Sequence, residues 1–187
     1  MASKSLEFEN KDDSRPVKLF FQDEARFGRI DNISSCRVPA GGRAKVGNQT
    51  VREYTHAYLA VCPETGENGS LILPYADQQC MDIFLEHISE NFSNYRIIMA
   101  MDRASWHTSL KTGKWDNIVP LFQPAYSPEL NPVENLWHHI REDGGFKNAT
   151  FNTLKEVELK LAEKLKNLDK MTVKSITLFR WINNALC

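Results

Sequence analysis

Three acidic residues stand where carboxylates do chemistry. Asp23 follows the apolar run from Val17 to Gln22, Asp102 follows the more apolar run from Tyr95 to Met101, and Glu134 opens a stretch with helical periodicity. Carboxylates at the ends of neighbouring strands, joined by a third from a helix, can converge on hard divalent cations. Such ions take oxygen ligands, keep several waters and are held by a few carboxylates plus substrate phosphate. Two of them about 3.5–4 Å apart stabilise both the attacking and the leaving oxygen of an in-line phosphoryl displacement. No protein nucleophile is then needed, and no serine or cysteine lies in a strand-to-helix elbow to suggest one. Each acid also has a plainer alternative. Strand ends open into polar loops, so Asp23 alone says little. Glu134 can be the third-position acid of a helix capped by Asn131, with Pro132 in its first position.

The elements that must hold these acids follow from periodicity. Residues 1–16 read as a flexible lead ending at Pro16, and residues 17–187 as one domain. Val17 to Gln22 is a compact strand that delivers Asp23 and Glu24 at its end. Gly41-Gly42 and Gly47-Asn48 suggest turns between short strands. Tyr54 to Val61, then Pro63 to Glu67, then Ser70 to Leu73 read as a hairpin. A helix over Asp77 to Phe92 is capped by Asp77 and carries Met81, Phe84, Leu85 and Ile88 at helical spacing. Tyr95 to Met101 has the continuous apolarity of a strand buried on both faces. Asn117 to Phe122 is a short strand closed by Pro124. Ser127 to Arg141 is a helix with its approach, broken by Gly144-Gly145. Thr153-x-x-Glu156 resembles a capping box, and Leu154, Val157, Leu161, Leu165 and Leu168 form an apolar stripe. That stripe is expected to pack on the core, with a coiled coil as the alternative. A last helix is expected over Val173 to Asn184. The order predicts an α/β fold, a mixed sheet flanked by helices with a C-terminal helical extension.

Composition narrows the classes. A chain of 187 residues, 42% hydrophobic and 25% charged, is enough for one domain with a real core. No apolar run approaches the roughly 18 residues of a membrane span, and the polar start carries no signal-peptide core, so no membrane partner and an intracellular setting are expected. Cys36, Cys62, Cys80 and Cys187 are scattered without metal-ligand spacing. His138 and His139 point about 100° apart on a helix and cannot easily share an ion. Net charge is −1, yet Ala25 to Arg52 holds Arg26, Arg29, Arg37, Arg43, Lys45 and Arg52 against Asp31 alone. That local +5 leaves −6 for the remainder. A basic segment on a near-neutral domain suits a localised phosphate-contacting surface, or else a solvated hairpin.

Three blocks carry a resemblance. They are Phe20-Phe21-Gln22-Asp23-Glu24, then Met101-Asp102-Arg103-Ala104-Ser105-Trp106-His107, then the long run from Pro124 to Trp137, PAYSPELNPVENLW. In this order they resemble the mariner-like superfamily of transposases, including its bacterial insertion-sequence branch. The resemblance covers about Val17 to Arg141 and, more loosely, the C-terminal helices. It implies an RNase H-like catalytic domain with Asp23, Asp102 and Glu134 as catalytic metal ligands. It also implies two Mg²⁺ or Mn²⁺ ions, and cleavage of DNA at element ends followed by 3′-hydroxyl strand transfer to target DNA. Arg26, Arg29, Arg43, Lys45 and Arg103 are candidate backbone contacts. His107 matches a family histidine that orients substrate or a ligand, with a capping or packing role as the alternative.

The chain departs from the family pattern in three ways. Arg103 stands where the family has asparagine, putting a cation beside the site. Asp102 and Glu134 are separated by 31 residues, fewer than expected, which a trimmed loop near Lys111 to Lys114 explains. The N-terminal helix-turn-helix modules of the family have no counterpart here. They are expected in a separately encoded partner, or to be missing, and a dimer is expected in the active complex, in a bacterial, nucleoid-associated setting. Two other readings stay open: a generic RNase H-like nuclease, and an inactive remnant that acts as an interaction subunit.

Overall fold

The computed structural model describes residues 13–29, 38–43, 50–104, 114–124 and 127–186. Five strands, β1 (Val17–Gly28), β2 (Tyr54–Val61), β3 (Asn68–Leu73), β4 (Arg96–Met101) and β5 (Ile118–Phe122), form one sheet in the order β3-β2-β1-β4-β5. The β1-β2-β3 meander is antiparallel, while β4 and β5 join parallel to β1. This is the expected α/β mixed sheet, built on an RNase H-like plan.

Alternation sends the side chains of each strand to two cores. Phe20, Tyr58, Ala60, Ile97, Met99 and Met101 face α1 (Gln78–Asn91), whose Met81, Phe84, Leu85 and Ile88 recur at helical spacing and are all buried. Asp77 caps α1 as expected, its Oδ1 accepting from the Cys80 N–H at 2.8 Å. Leu19, Phe21, Ala25 and Phe27 face the opposite layer. That layer is α2 (Val133–Asp143), reached through a 3-10 turn over Pro128–Leu130, then α3 (Leu154–Lys166), α4 (Lys170–Thr177) and α5 (Arg180–Leu186). The stripe Val157, Leu161, Leu165 and Leu168 is buried there, so it is a core face rather than a coiled-coil seam.

Several expectations need correction. β1 does not end at Gln22 but runs six residues further, because β2 stays paired alongside it as far as Gly28 opposite Tyr54. Asp23 therefore lies inside a strand. Residues 38–43 contain a turn, with the Gly42 N–H bonded to the Pro39 carbonyl at 2.9 Å, and no strand. Gly47-Asn48 lie outside the described residues. Glu156 reaches back to the Asn152 N–H at 2.9 Å, one residue earlier than a capping box requires, while Thr153 accepts from the Glu156 N–H. The last helix is two. Residues nine apart on one helix face about 180° from each other, yet Val173 and Ile182 are both fully buried in the same core. The break at Leu178-Phe179 makes that possible.

The hairpin turn needs Gly66 at φ +76°, where a side chain would also run into the Lys170 carbonyl. Of the expected flexible lead, residues 1–12 lie outside the described residues. Arg15 bonds the Ser93 carbonyl and Asp116, and the Pro16 carbonyl accepts from the Arg96 N–H. Among the described residues no helix is long and apolar enough to cross a membrane.

Candidate active site

The parallel pairing of β1 with β4 sets Phe21 opposite Ala100. Carried two residues along each chain, that register brings Asp23 level with Asp102, the first residue after β4. Phase fixes the face. Asp23 is in step with Leu19, Phe21, Ala25 and Phe27, which all point to the α2 layer. Asp102 is in step with Ile98 and Ala100 of the same core. β4 ends at Met101, and Asp102 begins the loop, exposed, with its Oδ1 accepting from the Ala104 N–H at 2.9 Å.

Glu134 sits in the first turn of α2 and is exposed. It is brought to the sheet by its neighbours. Val133, Leu136, Trp137 and Ile140 are buried against β1 and β2. Asn131, buried, donates from Nδ2 to the Gln22 carbonyl at 3.0 Å and accepts at Oδ1 from the Val133 N–H at 3.2 Å. Trp137 donates its indole N–H to Asp23 Oδ2 at 2.9 Å. The capping alternative for Glu134 is thus not the one realised: the amide of Asn131 serves the start of α2, and the Glu134 carboxylate makes no hydrogen bond among the described residues.

Half-buried Asp23 is pushed up to about 8 by burial first, and then by the negative charges of Glu134 and Glu24, while the Trp137 N–H pulls the other way. Burial and, after it, two neighbouring carboxylates disfavour the charged form of Asp23, and a cation bound beside it would favour that form instead. The donor set, all oxygen and all anionic, fits a hard divalent ion and not a soft one. The negative charge of Glu134 reaches Asp23. Asp102 follows directly on β4, the strand beside β1, but among the described residues no three acids or histidines stand close enough to hold an ion as they are.

The cations named as candidate DNA contacts divide. Arg103 is exposed and anchored through Nε to the Gln123 carbonyl at 3.1 Å. Arg26 is exposed over the Tyr54 ring, 4.5 Å from its centroid. Arg29, in contrast, is tied to Glu53 at 2.9 Å and to the Phe151 carbonyl at 3.1 Å. Arg43 is exposed. Lys45, His107 and the loop at 111–113 lie outside the described residues. The contribution of Asn131 and Trp137 was not read from the sequence. The signal available was the indole itself, since a buried Trp N–H needs an acceptor.

Residues 18–158 match the family described as DDE superfamily endonuclease. An uncharacterised protein of Sinorhizobium fredii, y4pE/y4sA, is 35% identical over 105 residues, which is 56% of this chain and 77% of that protein. Among solved structures, the Mos1 transposase paired-end complex with the left transposon end has a TM-score of 0.66 at 20% identity, covering 93% of this chain and 55% of that one. The Mos1 strand transfer complex gives 0.64 at 19%, covering 93% and 54%. The likeness is one of fold, and the chain spans about half the length of those transposases. With 141 consecutive residues inside the family's own span, this chain belongs to the DDE superfamily endonucleases.

Proposed function

We propose that the chain is the catalytic domain of a mariner-like transposase. In this reading Asp23, Asp102 and Glu134 bind a pair of Mg²⁺ or Mn²⁺ ions, DNA is cut at element ends, and the freed 3′-hydroxyl is joined to target DNA. The observation that carries the reading is the docking of α2 on β1, through Asn131 to Gln22 and Trp137 to Asp23, which sets Glu134 near enough for its charge to act on Asp23, next to the strand that leads to Asp102. Support also comes from the fold likeness to Mos1 transposase, whose paired-end complex has been solved with Mn and with Mg.

When bound, the ions would activate a water or 3′-hydroxyl for attack and offset the charge on the leaving oxygen. The chain's own residues do the rest. Asp23 presents a carboxylate with one oxygen fixed, Asp102 one held by its own turn, and Glu134 one at a helix N-terminus, where negative charge is favoured. Arg103, exposed and with Nε engaged by the Gln123 carbonyl, can offer its terminal nitrogens to a phosphate of the scissile strand. In this reading the unit takes in residues 17–187, a span supported by the core that Val157, Leu161, Val173 and Ile182 of the later helices share with β1. Two ends must meet in transposition, so the active complex contains two such domains together with a helix-turn-helix region that reads the ends.

The test is metal-dependent nicking of duplexes carrying candidate terminal repeats. Glu134→Gln should fold normally and lose nicking in Mg²⁺ and Mn²⁺. Undiminished nicking by that variant rejects the assignment. Preference for an RNA–DNA hybrid over terminal duplex would instead favour a general RNase H-like nuclease.

A further inference from the structure

Trp137 lies three residues beyond Glu134 on α2 and is fully buried. Its ring meets Phe27 edge-on, with centroids 6.0 Å apart. Filling that space asks for a large apolar ring and for no polar atom. Indole adds one donor and no acceptor, and the donor is spent on Asp23 Oδ2 at 2.9 Å. Six residues earlier, Asn131 grips the Gln22 carbonyl at 3.0 Å. The helix that carries Glu134 is therefore fastened to two consecutive residues of β1, and Glu134 lies between the two fastenings. A hydrogen bond from a rigid, buried ring leaves a carboxylate little freedom to rotate, which is what a ligand set for a small ion with strict geometry requires.

We propose that Trp137 is a positioning residue of the metal centre: its indole N–H fixes the Asp23 carboxylate and, with Asn131, sets the Asp23–Glu134 geometry before cation or DNA arrives. This rests on the reading of Asp23 as a metal ligand. A purely structural Trp137 would affect stability and leave cation affinity alone.

Mn²⁺ calorimetry on the wild-type chain, Trp137→Phe and Asp23→Asn, with thermal melts of each, separates the possibilities. Trp137→Phe should keep its secondary structure and weaken Mn²⁺ binding about 10–100-fold, the usual cost of losing an outer-sphere partner, while Asp23→Asn should lose binding altogether. A folded Trp137→Phe with wild-type affinity, beside an Asp23→Asn that cannot bind, overturns the positioning role and leaves the metal centre standing. Wild-type affinity in Asp23→Asn overturns both. Should Trp137→Phe fail to fold, the indole proton decides. It should exchange slowly with solvent in the wild-type chain and at least about tenfold faster in Asp23→Ala, as expected once a buried donor loses its acceptor. No change in that exchange rate would refute the proposal.

Discussion

At the scale of single residues, the electrostatics of Asp23 make a prediction about stability. Its folded-state pKa of about 8 lies far above the ordinary carboxylate value, which an unfolded chain would show. Between about pH 4 and pH 8 the folded, metal-free chain holds a proton that the unfolded chain releases, so stability is fully present at the acid end and drains as pH rises through the folded value. Metal-free protein should therefore melt at a lower temperature at pH 8 than at pH 5, beyond what its other groups explain. Asp23→Asn removes the ionisation and keeps an acceptor for Trp137. It should flatten that dependence and gain on the order of 1–3 kcal/mol at pH 8, as read by denaturant melts in chelator. Equal pH dependence in the two proteins would count against a crowded, half-buried carboxylate at this position. All three acids stand out in the sequence, through the blocks that contain them. The partner of Asp23 does not, because an indole 114 residues away leaves no local pattern.

At the scale of elements, the site depends on how α2 meets β1. Asn131→Ala would leave the Gln22 carbonyl and the Val133 N–H without their buried partners, at a cost of about 1–3 kcal/mol for an unsatisfied buried group. The loss should appear both in melting and in weaker Mn²⁺ binding. Loss of stability alone would mean that α2 holds Glu134 in position without this bond. The elements themselves were largely readable. Alternation, the Asp77 cap and the continuous apolarity before Asp102 lead to β2, β3, α1, β4 and β5 within a few residues. The failures have physical causes. Asp23 and Glu24 interrupt the apolar run of β1, and its continuation is visible only in the period-two pair Ala25 and Phe27, which β2 keeps in the sheet. The break between α4 and α5 exists so that Val173 and Ile182 can enter one core, a tertiary demand that helical propensity does not express.

At the scale of the whole molecule, a net charge of −1 means that any hold on DNA must come from locally placed cations. The structure sorts the basic residues. Arg103 and Arg26 are exposed beside the candidate site and on β1, whereas Arg29 is committed to Glu53 and the Phe151 carbonyl. Removing Arg103 or Arg26 should weaken DNA binding across sequences and lower the salt slope by roughly one each. Arg29→Ala should leave the slope alone and reduce stability by about 1 kcal/mol or less, as partly exposed pairs do. A slope that falls with Arg29 and not with Arg103 would reverse the assignment of the DNA-facing surface. The basic stretch from Ala25 to Arg52 showed in the sequence that cations cluster. It could not show which were already spent inside the fold.

The central claim is that Asp23, Asp102 and Glu134 together hold divalent cations. Titration of Mn²⁺ into the wild-type chain and into Asp23→Asn, Asp102→Asn and Glu134→Gln tests it without any DNA substrate. Saturable binding in the wild-type chain, lost in each of the three variants while all four remain folded, is the result this account predicts. Binding of equal strength in all four, or none in the wild-type chain at millimolar Mn²⁺ (on the order of the weakest Kd of dedicated divalent-ion sites), would contradict it.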